Sequence, residues 1–232
     1  MDNFENENKQ IFERYLKRSE NKSYSYLNPE IFKMHQERIF HEMKMISSNF
    51  NTKDFANLKI TDIGSGYGFN ILEFIRMGFL PQNITAVEMI KERADFSRGI
   101  IPQSVVLYNQ NAMEASIEPG SQDIVFQSAV LTSILDDEYK KRLANKMWEL
   151  LKPGGAILYY DFIYNNPKNP DVKGVPLSEI KLLFPDGKFK FKKRVTLAMP
   201  ISRAICKIHP SSYHLFNFFK FLRTHLLCLI VK

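Results

Sequence analysis

The stretch Asp62-Ile63-Gly64-Ser65-Gly66-Tyr67-Gly68 decides the fold, because it joins the end of an apolar strand to the start of a helix. Glycines let the backbone turn sharply and approach a ligand closely, since no Cβ stands in the way. The helix that follows offers unpaired N–H groups and a partial positive charge at its first turn. The segment therefore predicts a loop that holds a nucleotide-like cofactor.

The spacing of the glycines and the residues that follow them distinguish this loop from the dinucleotide-binding loop and from the P-loop. The dinucleotide fingerprint GxGxxG has its third glycine one residue later than Gly68 stands here. This chain has GxGxG instead, with Asp62 two positions before the first glycine. A P-loop is excluded because no Gly-Lys-Ser/Thr follows.

From Leu58 onward, short apolar strands alternate with helical stretches, which is typical of a parallel α/β sheet. The helices predicted between the strands are Asn70–Met77, Lys91–Gly99 and Glu138–Leu151, and the last of them ends at the turn Lys152-Pro153-Gly154-Gly155. The predicted strands are Lys59–Ile63, Asn83–Glu88, Ser104–Tyr108, Ile124–Gln127 and Ala156–Phe162.

Further elements flank this core. Helical spacing in the first fifty-odd residues predicts two helices, separated by a lid-like break at residues 23–29. After Phe162, an Asn- and Pro-rich loop leads to a short helix (Leu177–Phe184), a basic strand (Lys188–Leu197) and a helical region from about Ser211. We predict one domain, built from an N-terminal helical lid (1–56), a cofactor-binding core (57–162) and a C-terminal part (163–232) that completes it.

Charge is distributed unevenly along the chain. Its net charge is +7, but residues 163–232 hold thirteen Lys or Arg against three acidic residues, a net charge of +10, while the remainder carries −3. A basic C-terminal third favours an anionic acceptor, a phosphate-bearing carrier or an anionic lipid surface. Lysines that are only solvated are an equally open alternative.

The loop and the features after it resemble motif I and its successors in the class I, Rossmann-like S-adenosylmethionine methyltransferases of methyltransferase type 11. Glu88 ends the second strand twenty residues after Gly68, Asn111 follows the third strand, and Gln127 ends the fourth. The resemblance covers about residues 58–162. It implies a mostly parallel seven-stranded sheet flanked by helices, with an N-terminal helical lid and C-terminal accessory helices.

The resemblance implies S-adenosylmethionine as cofactor and S-adenosylhomocysteine as product. Glu88 is expected to accept hydrogen bonds from the ribose hydroxyls, although a charge at a helix N-terminus is the alternative. Asn111 is expected at the adenine, where the family usually has Asp. The implied cofactor residues are Asp62, Gly64, Ser65, Gly66, Gly68, Glu88, Met89, Asn111, Ala112 and Gln127.

Acceptor contacts are expected beyond the carboxyl ends of the fourth and fifth strands, which points to Ser128, Asn165 and Asn166. Arg203 is a candidate for an anionic acceptor, because its guanidinium can bind a carboxylate or phosphate in bidentate fashion. Asp161 and His225 are the candidate proton acceptors. The alternatives are that Asp161 caps the following loop and that His225 is structural on an apolar helix.

The C-terminal part looks similar to that of bacterial methyltransferases associated with polysaccharide biosynthesis, which favours O-methylation of a sugar hydroxyl in a glycan or nucleotide-sugar precursor. The alternatives are N- or C-methylation of a small natural product, and a subunit that binds S-adenosylmethionine without catalysis. No metal is expected, since the acidic residues are dispersed. Nucleic acid is not expected, because Gln127-Ser128-Ala129-Val130 stands where base methyltransferases have Asn-Pro-Pro-aromatic.

The polar, acidic N-terminus and two unpaired cysteines, Cys206 and Cys228, favour a cytoplasmic protein with free thiols. The longest late apolar run, residues 226–231, is too short for a membrane span, which needs about 20 residues. Peripheral membrane contact through residues 213–231 is an alternative to packing of that segment on the sheet. The sequence does not indicate an oligomeric state.

Overall fold

The computed structural model describes residues 3–19, 25–166 and 169–232. A single sheet runs through them. Its seven strands are β1 (Ile60–Ile63), β2 (Ile84–Val87), β3 (Val106–Tyr108), β4 (Gln122–Ser128), β5 (Leu151–Phe162), β6 (Lys188–Leu197) and β7 (Arg223–Val231).

Helices flank the sheet on both faces and precede it. They are α1 (Asn3–Ser19), α2 (Pro29–Asn49), α3 (Phe69–Met77), α4 (Lys91–Ile100), α5 (Asp137–Leu150), α6 (Leu177–Leu183), α7 (Met199–Ile208) and α8 (Ser212–Asn217). Short 3-10 turns lie at Thr52–Asn57, Pro81–Asn83, Leu131–Ser133 and Lys220–Leu222. No helix in the described part of the chain combines enough length with enough apolar character to span a bilayer.

The strand order is β3-β2-β1-β4-β5-β7-β6. Neighbouring strands from β3 to β5 are parallel, while β7 runs antiparallel to both β5 and β6. Six strands therefore point the same way, and their carboxyl ends share one edge of the sheet, which we call the carboxyl edge. This arrangement confirms the predicted Rossmann-like, mostly parallel seven-stranded sheet.

The sheet is buried on both faces, which explains why its central strands read as continuous apolar runs. Every residue of β1 is buried. Along β5, Ile157 and Tyr159 pack into the layer that contains α5, while Leu158 and Tyr160 pack into the opposite layer with Phe74 of α3. This alternation decides which polar residues at the carboxyl edge can meet.

The predicted core elements agree with the structure to within a few residues, and the basic strand Lys188–Leu197 has the predicted bounds. The predicted turn at Lys152–Gly155 lies inside β5. The predicted helical region from about Ser211 was wrong beyond α8, since Arg223–Val231 form β7. An apolar run buried on both faces lacks the alternation that identifies a strand. The domain boundaries at residues 56 and 162 stay a prediction.

Candidate cofactor and acceptor site

The glycine loop joins β1 to α3 at the carboxyl edge. Gly64, Gly66 and Gly68 all have left-handed backbone angles, with φ of +70°, +58° and +81°. A Cβ on Gly64 would lie 2.6 Å from Val130 Cγ2, and one on Gly68 would lie 2.3 Å from Ser97 Oγ. A Cβ on Gly66 would meet no protein atom within 4 Å. Neighbouring side chains therefore leave no room for a Cβ at Gly64 or Gly68, whereas Gly66 faces open space beside the loop.

A cavity with about 560 Å³ of empty space, part of it open to solvent, lies beside this loop. Its walls are largely apolar, and α1 contributes Ile11 and Tyr15 to them. Five of the predicted cofactor residues line the cavity: Gly64, Glu88, Met89, Asn111 and Ala112.

Glu88 ties the second strand to the glycine loop. One carboxylate oxygen accepts the backbone N–H of Gly66 at 2.8 Å, and the other accepts that of Ile90 at 2.8 Å. Burial raises the pKa of this carboxyl above its usual value. Each carboxylate oxygen can accept a further hydrogen bond. Glu88 can therefore fix the loop and still accept hydrogen bonds from a ligand in the cavity.

Asn111 lies on the cavity wall, but its amide holds α1 in place. Its Nδ2 donates to Asn8 Oδ1 at 2.9 Å and to the Tyr139 hydroxyl at 2.8 Å. Its Oδ1 accepts the backbone N–H of Met113 at 3.0 Å. The predicted contact to adenine would therefore be shared with a contact to the lid helix.

α1 covers one side of the cavity. The Arg14 guanidinium bonds Glu7 at 2.6 Å and the backbone carbonyl of Ser133 at 3.2 Å. Glu7 also accepts the backbone N–H of Leu135 at 3.1 Å. The Arg93 guanidinium of α4 lies over the Tyr15 ring, 4.4 Å from its centroid. Polar bonds thus hold α1 against the loop that follows β4.

Asp62 and Ser65 have buried polar atoms beside the glycine loop. Asp62 is fully buried, and neither carboxylate oxygen has a well-formed hydrogen bond among the described residues. Burial raises the pKa of Asp62 well above its usual value, while nearby Arg38 and Asn70 oppose that shift. The Ser65 hydroxyl is also buried and unpaired within the described ranges. Such groups are stabilised by a polar partner, and an ammonium group is a suitable partner for a carboxylate.

Arg38 of α2 lies at the centre of a polar cluster at the carboxyl edge. The sequence analysis did not predict a role for Arg38. Its guanidinium donates to Ser128 Oγ at 2.9 Å and to Asn70 Oδ1 at 2.7 Å, and its Nε lies 3.4 Å from Glu42. It also lies over the Tyr160 ring at 5.3 Å. Arg38 and Glu42 are buried at helical spacing from apolar Ile31 and Met45, which was the available signal. We call Arg38, Glu42, Asn70, Ser128, Tyr160 and His225 the Arg38 cluster.

His225 joins this cluster from β7 and not from a helix. Its ring stacks on Tyr160 with centroids 4.9 Å apart, and its Nδ1 lies 3.0 Å from Thr224 Oγ1. Burial, and then the Arg38 charge, lower the pKa of His225 to about 3. Its Nε2 makes no hydrogen bond within the described ranges. The imidazole is therefore neutral at physiological pH and able to accept a hydrogen bond.

The structure does not bring Asp161 or Gln127 to the cavity. Asp161 is fully buried, and its oxygens accept bonds from the Thr132 hydroxyl at 2.5 Å, the Thr132 N–H at 3.1 Å and the Phe162 N–H at 3.0 Å. Gln127 accepts from the Val130 N–H at 3.1 Å and donates to the Tyr160 carbonyl at 3.4 Å. Both side chains shape the backbone at the ends of β4 and β5, where sequence position alone suggested a ligand.

The predicted acceptor residues are scattered. Ser128 belongs to the Arg38 cluster, whereas Asn165 accepts the backbone N–H of Gly174 at 2.9 Å and so closes its own loop. Asn166 is exposed on that loop. Arg203 lies on α7, where it faces Glu30 at 3.9 Å. Among the described residues, no three His, Cys, Asp or Glu side chains lie close enough together to hold a metal ion.

Two residues at this edge have backbone angles that are unusual for non-glycine residues. Ala129, immediately after β4, has φ +57°, and Thr196 of β6 has φ +64°. The Thr196 hydroxyl bonds the Tyr160 hydroxyl at 2.7 Å, and its N–H donates to Glu37 at 3.0 Å. Backbone strain of this kind concentrates at functional sites. Both residues lie beside the Arg38 cluster.

Comparison with solved structures agrees with this geometry. A magnesium protoporphyrin IX methyltransferase from Synechocystis PCC 6803 with bound S-adenosylmethionine has a TM-score of 0.62 at 11% identity, over 95% of this chain and 90% of that chain. A methyltransferase from Mesorhizobium loti has a TM-score of 0.61 at 12% identity, over 82% and 96%. The fold is that of the S-adenosylmethionine-dependent methyltransferases.

Comparison of the sequence with models of protein families also indicates a methyltransferase. Residues 61–159 match a family model described as a methyltransferase domain, and domains of this family bind the predicted cofactor, S-adenosylmethionine. These findings support the predicted methyltransferase class. A geranyl diphosphate C-methyltransferase from Streptomyces coelicolor A3(2) is also similar, with a TM-score of 0.59 at 14% identity over 83% of this chain and 76% of that chain. No curated protein matches the chain in sequence.

Proposed function

We propose that this methyltransferase transfers the methyl group of S-adenosylmethionine to a hydroxyl of an anionic sugar, in a glycan or nucleotide-sugar precursor. The observation that carries cofactor binding is the fully buried carboxylate of Asp62 behind the glycine loop, whose oxygens have no well-formed hydrogen bond among the described residues. S-adenosylmethionine has an ammonium group that such a carboxylate can bind. The apolar cavity fits its adenine, and the free lone pairs of Glu88 fit its ribose hydroxyls.

The cofactor, when bound, supplies an electrophilic methyl carbon on a sulfonium. The protein has to align an acceptor with that carbon and exclude water. Asp62, Gly64, Ser65, Gly66 and Gly68 would hold its methionine part. Glu88, Met89, Asn111 and Ala112 would hold its nucleoside.

A pair of glycine substitutions tests cofactor binding. Gly66 and Gly120 have similar angles, with φ of +58° and +65°, and a Cβ on either would meet no protein atom within 4 Å. Alanine therefore adds similar backbone strain at both sites, roughly 1–2 kcal/mol. By calorimetry, Gly66→Ala should weaken S-adenosylmethionine binding at least about tenfold, since each tenfold is about 1.4 kcal/mol. Gly120→Ala should bind like wild type, and equal binding by both variants would contradict the assignment.

A hydroxyl acceptor is supported by the state of His225. A hydroxyl is a weak nucleophile whose proton becomes far more acidic as the new C–O bond forms. The Nε2 of the neutral His225 imidazole has no hydrogen bond among the described residues and can take this proton, while Thr224 and Tyr160 hold the ring. Asp161 is a poorer candidate, because its oxygens are already bonded inside the protein. Burial and the Arg38 charge would keep the protonated imidazole short-lived, so that the proton passes on to water.

An anionic acceptor is supported by the charge of the C-terminal part. Residues 163–232 carry a net charge of +10 and supply both β7, which contains His225, and its neighbour β6. Positive potential around a site attracts negatively charged substrates. Sugar precursors that carry phosphates combine this charge with free hydroxyls.

An acceptor panel tests this proposal. With S-adenosylmethionine present, nucleotide sugars should give a methyl ether, whereas amines and carbon nucleophiles should not react. His225→Gln keeps a hydrogen-bond acceptor but cannot take a proton, so kcat should fall by about 10² or more while the Kd of the cofactor stays unchanged. Methylation only at nitrogen or carbon would favour a natural-product methyltransferase. Cofactor binding without turnover of any acceptor would favour a non-catalytic subunit.

A further inference from the structure

An exposed apolar surface extends between β6 and β7. It runs from the end of α7 through α8 to the turn Lys220–Leu222, and its large side chains are between 37% and 85% exposed. The aromatic rings of residues 218, 219 and 221 lie side by side, with neighbouring centroids 5.9 and 5.8 Å apart. We call this surface the aromatic ridge, and it consists of Ile208, Leu215, Phe216, Phe218, Phe219 and Phe221. Apolar surface gathered in this way marks an interaction site.

The ridge is anchored firmly to the rest of the protein. Tyr213 of α8 is fully buried, and its hydroxyl donates to Glu37 of α2 at 2.8 Å. Ile205 of α7 packs with Tyr213 in the same small core. The Arg223 guanidinium closes the segment by donating from Nε, at 2.7 Å, and from Nη2 to the Asn217 carbonyl. The phenyl rings are therefore exposed on a segment that is well anchored to the rest of the protein.

The charged side chains that residues 187–232 contribute around the ridge are all positive. No acidic residue follows Asp186, whereas residues 187–232 include ten Lys or Arg. Lys207 precedes Ile208, and Lys220 stands between Phe219 and Phe221, with both lysines exposed. Phenyl rings interleaved with lysine suit a membrane interface, where rings enter the acyl boundary while ammonium groups reach the phosphates. Anionic headgroups supply the complementary charge.

The position of the ridge relates it to the site. β6 is parallel to β5, because both run antiparallel to β7. The carboxyl end of β6 therefore lies at the carboxyl edge, and α7 begins two residues beyond it. The ridge thus starts from the same edge of the sheet as the glycine loop and the Arg38 cluster.

We propose that the aromatic ridge docks the protein on the surface of a bilayer that contains anionic lipids. The phenyl rings lie in the interface, and Lys207 and Lys220 contact lipid phosphates. Docking turns the carboxyl edge toward the membrane, where an acceptor carried on a lipid can reach the site. The proposal goes beyond methyl transfer and does not depend on it.

Vesicle flotation tests this docking. Wild type is mixed with phosphatidylcholine vesicles, or with vesicles that also contain phosphatidylglycerol, at low and high salt. We expect binding only with phosphatidylglycerol, and less of it at high salt. The double variant Phe218→Ser/Phe221→Ser should lose at least about tenfold of that binding, because two exposed rings no longer enter the interface. Lys207→Gln/Lys220→Gln should bind less than wild type, and its binding should depend less strongly on salt.

The control is Leu182→Ser, which removes a side chain that is 78% exposed on α6, away from the ridge. It should bind vesicles like wild type, and thermal unfolding should show that all variants are folded. The proposal is overturned if wild type ignores phosphatidylglycerol vesicles, or if the double phenylalanine variant binds them equally well. It is also overturned if light scattering shows that the ridge pairs two copies of the chain and vesicles do not compete.

Discussion

At the scale of single residues, the Asp161 carboxyl makes the stability of the fold depend on pH. Burial raises the pKa of its carboxyl to about 7, whereas an unfolded Asp titrates near ~3.9. Between these values the folded protein binds the proton and the unfolded chain does not. This contribution therefore stabilises the fold at low pH and is lost as pH rises through about 7, by at most about 1.4 kcal/mol per pH unit.

Urea unfolding of wild type and Asp161→Asn at pH 5 and pH 8 measures this effect. Asparagine cannot ionise, so the variant should lose stability relative to wild type at pH 5 and recover part of that difference at pH 8. His225 acts in the opposite direction, because the lowered pKa of its imidazole makes stability fall as pH drops below about 6.5. It is present in both proteins, so it cancels in the comparison. An identical pH slope for the two proteins would contradict this account.

The buried ion pair of Arg38 and Glu42 gives a second prediction about single residues, which concerns the free energy of unfolding. Both side chains are buried, and they face each other at 3.4 Å. Arg38→Met leaves Glu42 as an uncompensated buried charge, which should cost about 3–5 kcal/mol of unfolding free energy. Arg38→Met/Glu42→Leu removes both charges and should recover most of that loss. If the double variant were as unstable as Arg38→Met, the contacts of Arg38 with Ser128 and Asn70 would carry the stability instead.

At the scale of single elements, α1 covers one side of the cavity, and Asn8 supplies two of the hydrogen bonds that hold it there. Asn8 accepts from Asn111 at 2.9 Å and from the Tyr139 hydroxyl. Asn8→Ala removes both bonds, each worth about 1 kcal/mol, so α1 should exchange its amide hydrogens faster and S-adenosylmethionine should bind several-fold more weakly. Lys9→Ala, one residue away on the exposed side, is the matched control for hydrogen exchange and calorimetry. Unchanged exchange in Asn8→Ala would show that α1 is held by other contacts.

Some elements of the fold can be predicted from the sequence, and others cannot. The glycine loop and the strand at Lys188–Leu197 were predictable, because left-handed glycines and strand-length runs leave local signals. β7 was not, because its residues are buried on both faces and carry no period. Arg38 lies more than twenty residues before the loop that it serves, so only the fold brings it to Ser128. Asp161 and Gln127 had the right positions in sequence, but their side chains bond nearby backbone.

At the scale of the whole molecule, β7 joins β6 to the rest of the sheet. It lies between β5 and β6 and pairs with both along most of its length. Leu227→Asp puts a charge at a fully buried position of β7 and should leave the protein unfolded at room temperature, as judged by circular dichroism. Leu182→Asp, on the exposed face of α6, should unfold like wild type. A folded Leu227→Asp variant would mean that β7 is a peripheral addition.

The placement of β7 also has a consequence for how the protein is made. Although β6 is its neighbour on one side and β5 on the other, the ribosome releases both before it releases β7. Until then β5 presents an unpaired strand edge, and β6 has no partner in the sheet. Nascent chains in this condition are prone to aggregate and are clients for chaperones. Translation of β7 is thus the event that closes the sheet and places His225 beside Tyr160.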